Sequence, residues 1–179
     1  MKILLILANG FEEIEAVTLI DIARRAKMEL SICSLHNSDT VQGSHKIELK
    51  AEIHFDEAKT KQWDAVVLPG GMGGVEAMLK SDAFLAFLKE HAKNHRRIAA
   101  ICAAPMILDH CGLLEGLAFT CHPSVVQKIK TGKYVDAPSL QTPKILTGRS
   151  AGTALSFALA FVSWMLGEVP AGLRDALAI

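Results

Sequence analysis

Uninterrupted apolar runs of strand length alternate with helical patterns along most of the chain. Runs without polar alternation are typical of parallel strands that are covered on both faces, and the first of them is composed entirely of Ile and Leu between residues 3 and 7. Strands are predicted at residues 1–8, 30–35, 64–68 and 97–101, and helices at 12–26, 75–80 and 82–95. The alternation predicts an α/β fold, with a mostly parallel sheet and helices on both faces.

One segment, from Val41 to Phe55, has a different period. Between Ile47 and Phe55 apolar residues alternate with charged residues and one histidine. This is the period of a half-exposed antiparallel strand or hairpin. Such an arm beside a parallel sheet often covers a sheet edge or a partner subunit.

The most apolar stretch, residues 151–166, is too short for a membrane span, and serines and a glycine interrupt it. It therefore predicts a buried core helix. The apolar run after Lys2 contains six residues and is too short for the core of a signal peptide, so we expect no targeting segment.

Composition narrows the class of protein further. The length of 179 residues suits a single domain, which we place at 1–179. The formal net charge is zero, which gives no indication of a nucleic-acid or membrane partner. The four cysteines form no Cys-x-x-Cys pair and the seven histidines form no His-x-x-x-His pair, so no metal is expected. This cysteine usage predicts a reducing, cytoplasmic location.

The apolar strand at 97–101 leads directly into Cys102, two alanines and Pro105. Proline is favoured in the first turn of a helix, so the chain is expected to turn sharply from strand to helix at Cys102. A thiol at a helix N-terminus is close to unpaired N–H groups, which favour the thiolate, and the sequence therefore predicts a lowered pKa for Cys102. The alternative is that Cys102 is a small core residue, as free cysteines often are.

Three other polar or glycine-rich segments follow predicted strands. They are Gly10 to Glu15 after the first strand, Gly70-Gly71 after the third, and His122 after a strand predicted at 117–121. In parallel sheets the functional site lies beyond the C-terminal ends of the strands, so these segments and Cys102 are expected to converge. Carboxylates in a first helical turn are also favoured by the helix dipole alone, and that structural role remains open for all three acidic residues of this segment.

The ordered set of these motifs resembles the ThiJ/PfpI superfamily, in particular the branch of the parkinsonism-associated deglycase and its bacterial ThiJ-like relatives. The similarity extends over nearly the whole chain. It rests on five segments, at residues 10–15, 68–71, 100–105, 120–123 and 147–153. The resemblance implies a flavodoxin-like three-layer sandwich, related to the class I glutamine amidotransferases, that acts without a cofactor as a homodimer.

The resemblance also implies roles for individual residues. Cys102 matches the reactive, easily oxidised thiolate of the family, and Glu15 matches a protonated acidic partner that hydrogen-bonds the sulfur. Gly71 and Ala103 match the backbone donors of an oxyanion site, and His122 matches the histidine near the thiol. A carboxyl group beside a thiolate should have a raised pKa, through desolvation and like charge.

Two positions depart from the patterns of related branches. The protease-like and amidotransferase-like branches have histidine directly after the nucleophile, where this chain has Ala103, so peptidase activity is not expected. The parkinsonism-associated branch has an arginine in its arm that reaches across the dimer, and this chain has His45 at that place.

The expected function is defence against reactive carbonyls. A small 2-oxoaldehyde such as methylglyoxal, or a glycated product, would be the substrate of a glyoxalase or deglycase. The alternative is a redox-sensing protective chaperone, in which the same cysteine oxidises to the sulfinate. An amidotransferase-like hydrolase and a thiazole-phosphate biosynthesis protein are less favoured, because Ala103 replaces histidine and the sequence has no nucleotide or phosphate motif.

Overall fold

The computed structural model describes residues 1–179 and contains a central sheet of seven strands, accompanied by two small two-stranded sheets. The strands are β1 (Lys2–Leu7), β2 (Glu29–Ser34), β3 (Thr40–Gln42), β4 (Glu48–Lys50), β5 (Ile53–His54), β6 (Ala65–Leu68), β7 (Arg97–Ile101), β8 (Ala118–Phe119), β9 (Lys133–Tyr134), β10 (Ser139–Gln141) and β11 (Ile145–Gly148). The order in the central sheet is β10-β11-β7-β6-β1-β2-β5, and only the edge pair β10–β11 is antiparallel. The prediction of a mostly parallel sheet is therefore confirmed.

Helices cover both faces of this sheet, as predicted. They are α1 (Glu13–Arg25), α2 (Phe55–Ala58), α3 (Met72–Leu79), α4 (Asp82–Lys93), α5 (Pro105–His110), α6 (Ala154–Leu166) and α7 (Leu173–Ala176). The longest of them have 13 residues, and no helix combines the length and the hydropathy that a bilayer crossing requires.

The strand sequences explain the two helical layers. Successive side chains of a strand point to opposite faces, so an apolar run without alternation supplies two cores at once. Along β1, Leu4 and Ile6 belong to the core that packs against α2 to α5. Ile3 and Leu5 belong to the second core, which packs against α1 and α6.

The segment from Val41 to Phe55 forms a hairpin and then returns to the central sheet. Strands β3 and β4 pair antiparallel, and the turn between them is formed by residues 43–47. The chain then continues into β5, which pairs parallel with β2 at the sheet edge. The alternation therefore predicted the hairpin correctly, but it did not predict that β5 would join the edge of the central sheet.

The segment before His122 was predicted to be a strand of the sheet at residues 117–121, and this prediction is wrong. Only Ala118 and Phe119 are extended, and they pair with β9 outside the central sheet. The N–H of Thr120 instead donates to the side-chain oxygen of Thr147 (3.0 Å), and a 3-10 helix begins at Pro123. His122 is therefore delivered by a short irregular segment rather than by a strand of the sheet.

Four glycines lie between residues 70 and 74, but only two of them form the turn after β6. Helix α3 begins at Met72 and includes Gly73 and Gly74, so the turn itself needs only Gly70 and Gly71. Gly71 has a φ of 85°, a conformation that residues with a side chain rarely adopt.

Candidate active site

Cys102 lies on a sharp turn between β7 and α5, at the carboxyl edge of the sheet. Its φ of 65° is in the left-handed region, where a non-glycine residue is strained. The turn is held at both ends, because the N–H of Cys102 donates to the carbonyl of Gly148 (3.0 Å) and its carbonyl accepts from the N–H of His122 (2.9 Å). Pro105 occupies the first turn of the helix, as predicted.

Glu15 brings a buried carboxyl group to this thiol from the first turn of α1. Glu15 is 3% exposed, and its Oε2 accepts a hydrogen bond from the N–H of Gly70 at 2.7 Å. The other oxygen, Oε1, is buried without a hydrogen-bond partner. Burial raises the pKa of Glu15 to about 7, which confirms the predicted desolvation. The like charge that adds to it comes from Glu12, whereas the hydrogen bond with Cys102 lowers the pKa.

Gly70 lies between the thiol and the carboxyl group and has no space for a side chain. A Cβ atom there would lie 2.5 Å from the Cβ of Cys102, 2.9 Å from its Sγ and 2.8 Å from Oε2 of Glu15. The absence of a side chain at Gly70 is therefore what allows the two reactive groups to approach each other.

Two backbone N–H groups approach the sulfur, from Gly71 and from Ala103. These are the two residues that the resemblance assigned to an oxyanion site. The structure thus brings Cys102, Glu15, Gly71 and Ala103 together at one point, from the ends of three different strands. Donors fixed in this way stabilise a negative charge without having to reorganise.

The predicted lowering of the thiol pKa is wrong for this arrangement. Burial raises the pKa of Cys102, and the adjacent Glu15 carboxylate raises it further. The N–H groups of Ala103 and Gly71 act in the opposite direction without overcoming these effects. The physical reason is that the fold both desolvates the thiol and places it beside the Glu15 carboxyl group, which the neighbouring N–H groups do not offset.

His122 lies beside the turn, but its imidazole bonds to a different group. Its Nδ1 lies 2.8 Å from Oγ of Ser124 and accepts the N–H of Ser124 at 3.2 Å. A neutral imidazole held in this way carries its proton on Nε2. The hydrogen bonds of the structure connect His122 to Cys102 through the backbone, and none joins the ring to the sulfur.

A second buried carboxyl group, Glu13, lies on the same helical turn and bonds to His45. The N–H of His45 donates to Oε1 of Glu13 (2.6 Å), and Nδ1 of the ring lies 2.9 Å from Oε2. Sequence reasoning noted the unusual His45 but missed this contact, which joins residues 32 positions apart. With Glu12 nearby, these side chains are compact enough to be considered for a metal, but His45 already bonds to both oxygens of Glu13, so we assign no metal.

The other cysteines are in different surroundings. Cys33 and Cys121 are buried, and burial raises the pKa of Cys33 to about 12 and that of Cys121 to about 11. Cys111 is partly exposed and lies at the end of α5, where burial also raises its pKa. Only Cys102 combines partial exposure with a neighbouring carboxyl group and two neighbouring backbone N–H groups.

This arrangement provides the groups that chemistry on a carbonyl requires. A sulfur nucleophile, a carboxyl group that titrates near neutral pH and two backbone donors lie together in one place. A carboxyl group with a pKa near the working pH is suited both to accept and to return a proton. The donors are placed to stabilise the oxyanion that forms when a thiolate adds to a carbonyl group.

Comparisons with known proteins identify the relatives of this chain. The sequence model of the DJ-1/PfpI family matches residues 1–164. Protein DJ-1 homolog B of Arabidopsis thaliana is 38% identical over 168 residues, which are 93% of this chain and 38% of the plant protein. A protein named deglycase from Pyrococcus horikoshii is 30% identical, over 76% of this chain and 82% of its own length.

The fold agrees with solved structures as well. The structure of Toxoplasma gondii DJ-1, described as oxidized, superposes with a TM-score of 0.92 at 30% identity, and covers 99% of this chain and 97% of that one. This superposition confirms the flavodoxin-like α/β fold.

This chain spans only part of the length of two plant relatives. It covers 38% of DJ-1 homolog B and 43% of DJ-1 homolog A.

Proposed function

The chain belongs to the DJ-1/PfpI family, and on that premise we propose that it is a cofactor-free enzyme that detoxifies 2-oxoaldehydes such as methylglyoxal. A family relative named deglycase supports carbonyl chemistry of this general kind. The observation that carries the proposal is the contact of Cys102 with a buried carboxyl group whose pKa is about 7. The residues assigned to the reaction are Cys102, Glu15, His122, Gly71 and Ala103.

In the first step, Glu15 accepts the proton of the Cys102 thiol and the sulfur adds to the aldehyde carbon. The new alkoxide lies against the N–H groups of Gly71 and Ala103 and then receives the proton from Glu15, which gives a hemithioacetal. An oxyanion donor of this kind is typically worth about 10² to 10³ in rate. The raised pKa of Cys102 makes this proton transfer to Glu15 a necessary part of nucleophile formation.

In the second step, the Glu15 carboxylate removes the proton from the former aldehyde carbon and returns it to the neighbouring carbonyl carbon, while the hydroxyl proton moves from the former aldehyde oxygen to the neighbouring oxygen. The product is a thioester between Cys102 and a 2-hydroxy acid. Water then cleaves the thioester, which releases lactate when methylglyoxal is the substrate and regenerates the thiol. The unpartnered Oε1 of Glu15 is available for these transfers. His122 fixes the Cys102 turn through its backbone N–H, and the N–H of Ser124 on Nδ1 leaves the proton of the neutral ring on Nε2.

The test is loss of methylglyoxal and formation of lactate by the protein and by Cys102→Ser. Cys111→Ser is the matched control, because Cys111 is also partly exposed and lies outside the site. We expect turnover that disappears in Cys102→Ser and persists in Cys111→Ser. Equal turnover by folded Cys102→Ser, or none by the unmodified protein, would overturn the proposal.

A second function, a redox-sensing chaperone, is supported by the partial exposure of Cys102 and by a neighbour whose structure is described as oxidized. The two N–H donors that receive an alkoxide would also stabilise the sulfinate that forms when peroxide adds two oxygen atoms to sulfur. Mass spectrometry after peroxide treatment should locate the added oxygens on Cys102. A gain in suppression of aggregation after oxidation would favour this function over the enzymatic one.

We further propose that the protein forms a homodimer and acts in the cytoplasm, where its four free cysteines would stay reduced. Two large apolar side chains of α1, Ile14 and Val17, are 57% and 43% exposed, and Ile47 on the neighbouring hairpin is 53% exposed. A second copy of the chain would cover them. Sedimentation should show a dimer that Val17→Lys converts to a monomer, whereas Ile179→Lys at the C-terminus leaves it intact.

A further inference from the structure

The turn between β3 and β4 lies along the loop that leads into α1. The N–H of Gly10 donates to the carbonyl of Gln42 (2.8 Å), and the N–H of Ser44 donates to the carbonyl of Phe11 (2.8 Å). The hydroxyl of Ser44 lies 3.0 Å and 2.9 Å from the carbonyl oxygens of Gly10 and Phe11. The position of the turn and the position of this loop are therefore coupled.

His45, at the tip of this turn, joins it to Glu13 by two hydrogen bonds, one from the backbone and one from the ring. The two side chains differ in surroundings, since that of His45 is 70% exposed and that of Glu13 is 5% exposed. Oε1 of Glu12 lies 3.7 Å from the same ring nitrogen. An exposed imidazole thus contacts a buried carboxylate, so a change in the charge of the ring alters the hydrogen bonds of a buried group.

The loop held by this turn contacts the reactive site directly. The N–H of Glu12 donates to the carbonyl of Gly70 (3.0 Å), and the N–H of Gly70 in turn donates to Glu15. A Cβ atom on Gly71 would lie 2.2 Å from the carbonyl oxygen of Gly10, so the two backbones are in close contact. A shift of the loop is therefore transmitted to the glycine turn beside Cys102.

We propose that His45 is a positioning residue that acts through its charge on the reactivity of Cys102. As an imidazolium it fixes the turn to Glu13, and the loop then holds Gly70 and Gly71 in the geometry that serves the thiol. As a neutral ring it holds the turn more weakly, and the glycine turn is less well ordered. The inference rests on the proposed function only in taking the sulfur of Cys102 as the reacting atom.

The charges around His45 define the pH range of this effect. Glu12 and Glu13 face it from α1, and Lys46 is adjacent to it on the turn. The hydrogen bond to Glu13 and the charges of both carboxylates raise the pKa of His45 above its usual 6.5. For Glu13, burial raises the pKa, but the hydrogen bonds from His45 and from backbone N–H groups outweigh it and the pKa is lowered.

The direction of the pH effect follows from these shifts. The contribution of the His45 charge is fully present below pH 6.5 and is lost as the pH rises through the raised pKa of His45. Glu13 limits the range on the acid side, because its contribution is lost only when the pH falls through its lowered pKa. The contact is thus strongest in weakly acidic to neutral solution and weakest in alkaline solution.

The test is the rate at which iodoacetamide alkylates Cys102, followed by peptide mass spectrometry from pH 5.5 to 9.5. His45→Arg keeps a positive charge at every pH, and His45→Gln keeps a polar group without charge. His54→Gln is the matched control, because His54 also pairs with a carboxylate, Asp39, at 3.2 Å but on a different part of the surface. Rates are compared as ratios at each pH, so that the ionisation of the thiol itself cancels.

We expect the unmodified protein to react two- to fivefold faster than His45→Gln at pH 6, about the effect of an exposed ion pair, and to match it at pH 9. His45→Arg should keep the faster rate across the whole range, and His54→Gln should have no effect. A ratio that does not change with pH, or a His45→Arg protein that behaves like His45→Gln, would overturn the proposal. Circular dichroism at each pH checks that the variants remain folded.

Alkylation needs no turnover, so this result is independent of the proposed enzymatic activity. Absence of methylglyoxal turnover would overturn the enzymatic proposal and leave the effect of His45 on the thiol intact. Turnover combined with a flat alkylation ratio would overturn the role of His45 alone.

Discussion

Two carboxyl groups on the first turn of α1 have almost no solvent-exposed surface but have opposite electrostatic properties. Glu13 is 4% exposed and Glu15 is 3% exposed. Both oxygens of Glu13 accept hydrogen bonds from His45, whereas Glu15 accepts one from Gly70 and leaves Oε1 without a partner. The pKa of Glu13 is lowered and that of Glu15 is raised to about 7. Glu15 has fewer donors and is more strongly desolvated by the surrounding protein than Glu13, and both differences favour its uncharged form.

The difference divides the structure around this turn into two regions. On the Glu13 side, hydrogen bonds to a charged carboxylate fix the hairpin to the loop before α1. On the Glu15 side, an unpartnered oxygen leaves the carboxyl group able to gain or lose a proton beside Cys102. A stable ion pair suits an anchor, whereas proton transfer requires a carboxyl group that is not fully satisfied.

The largest expected effect is on activity, and it should be confined to one of the two carboxyl groups. Glu15→Gln keeps the shape of the side chain but removes proton transfer, which is typically worth about 10² to 10⁴ in rate. We expect kcat/KM for methylglyoxal to fall by at least about 10²-fold in Glu15→Gln and by less than tenfold in Glu13→Gln. Full activity of Glu15→Gln would remove its catalytic role and make the two carboxyl groups equivalent.

Stability should change in opposite directions at the two positions. The raised pKa of Glu15 means that the folded state becomes less stable as the pH rises from 4.5 to about 7, by about 3 kcal/mol in total. Glu15→Gln should therefore stabilise the protein at pH 8 and have little effect at pH 4.5. The lowered pKa of Glu13 gives the opposite sign, so Glu13→Gln should destabilise it at pH 8.

Urea unfolding at pH 4.5, 6 and 8 would measure both changes in the free energy of unfolding. We expect the free energies of unfolding of Glu15→Gln and Glu13→Gln to diverge as the pH rises. Two variants that shift the free energy of unfolding in the same direction at pH 8 would show that burial dominates at both positions and that the donors of Glu13 matter little.

The sequence predicted the sheet well because each strand has a pattern of apolar and polar residues that can be recognised from its own few residues. The apolar run at 3–7 has to be covered on both sides, and the alternation after Ile47 has to be half exposed. The three acidic residues from Glu12 to Glu15 have no such signature. Their periodicity is compatible with three structural carboxylates, and only the family resemblance singled out Glu15.

The features that the sequence did not predict depend on contacts between segments that are distant in the chain. His45 meets Glu13 across 32 positions, and the N–H of Thr120 bonds to Thr147 rather than extending a strand into the sheet. The lowered thiol pKa was also a local inference, from a cysteine before a helix. Burial beside Glu15 reverses it, and burial is a property of the whole fold.

Each carboxyl group lies against a glycine, and these two glycines should respond differently to a methyl group. A Cβ atom on Gly70 would lie 2.9 Å from Sγ of Cys102, and one on Gly43 would lie 2.2 Å from Oε1 of Glu13. Overpacking of this kind typically costs about 1–3 kcal/mol. Gly70→Ala should lower both stability and kcat/KM, whereas Gly43→Ala should lower mainly the melting temperature. Thermal melts and methylglyoxal kinetics of both variants would reveal whether the two effects separate.

The smallest effects are expected at two serines, one in each region, that hold histidine-bearing segments. The hydroxyl of Ser44 bonds to the loop before α1, so Ser44→Ala should cost about 1 kcal/mol of stability. Because the backbone bonds between turn and loop remain, turnover at pH 7 should fall by less than about twofold. Ser124 bonds to Nδ1 of His122, and it is exposed, so Ser124→Ala should barely change stability. Since the N–H of residue 124 still bonds to Nδ1, the imidazole keeps its orientation and kcat/KM should fall by less than about fivefold. A larger loss of kcat/KM in Ser124→Ala than in Glu15→Gln would transfer the proton-handling role from the carboxyl group to His122.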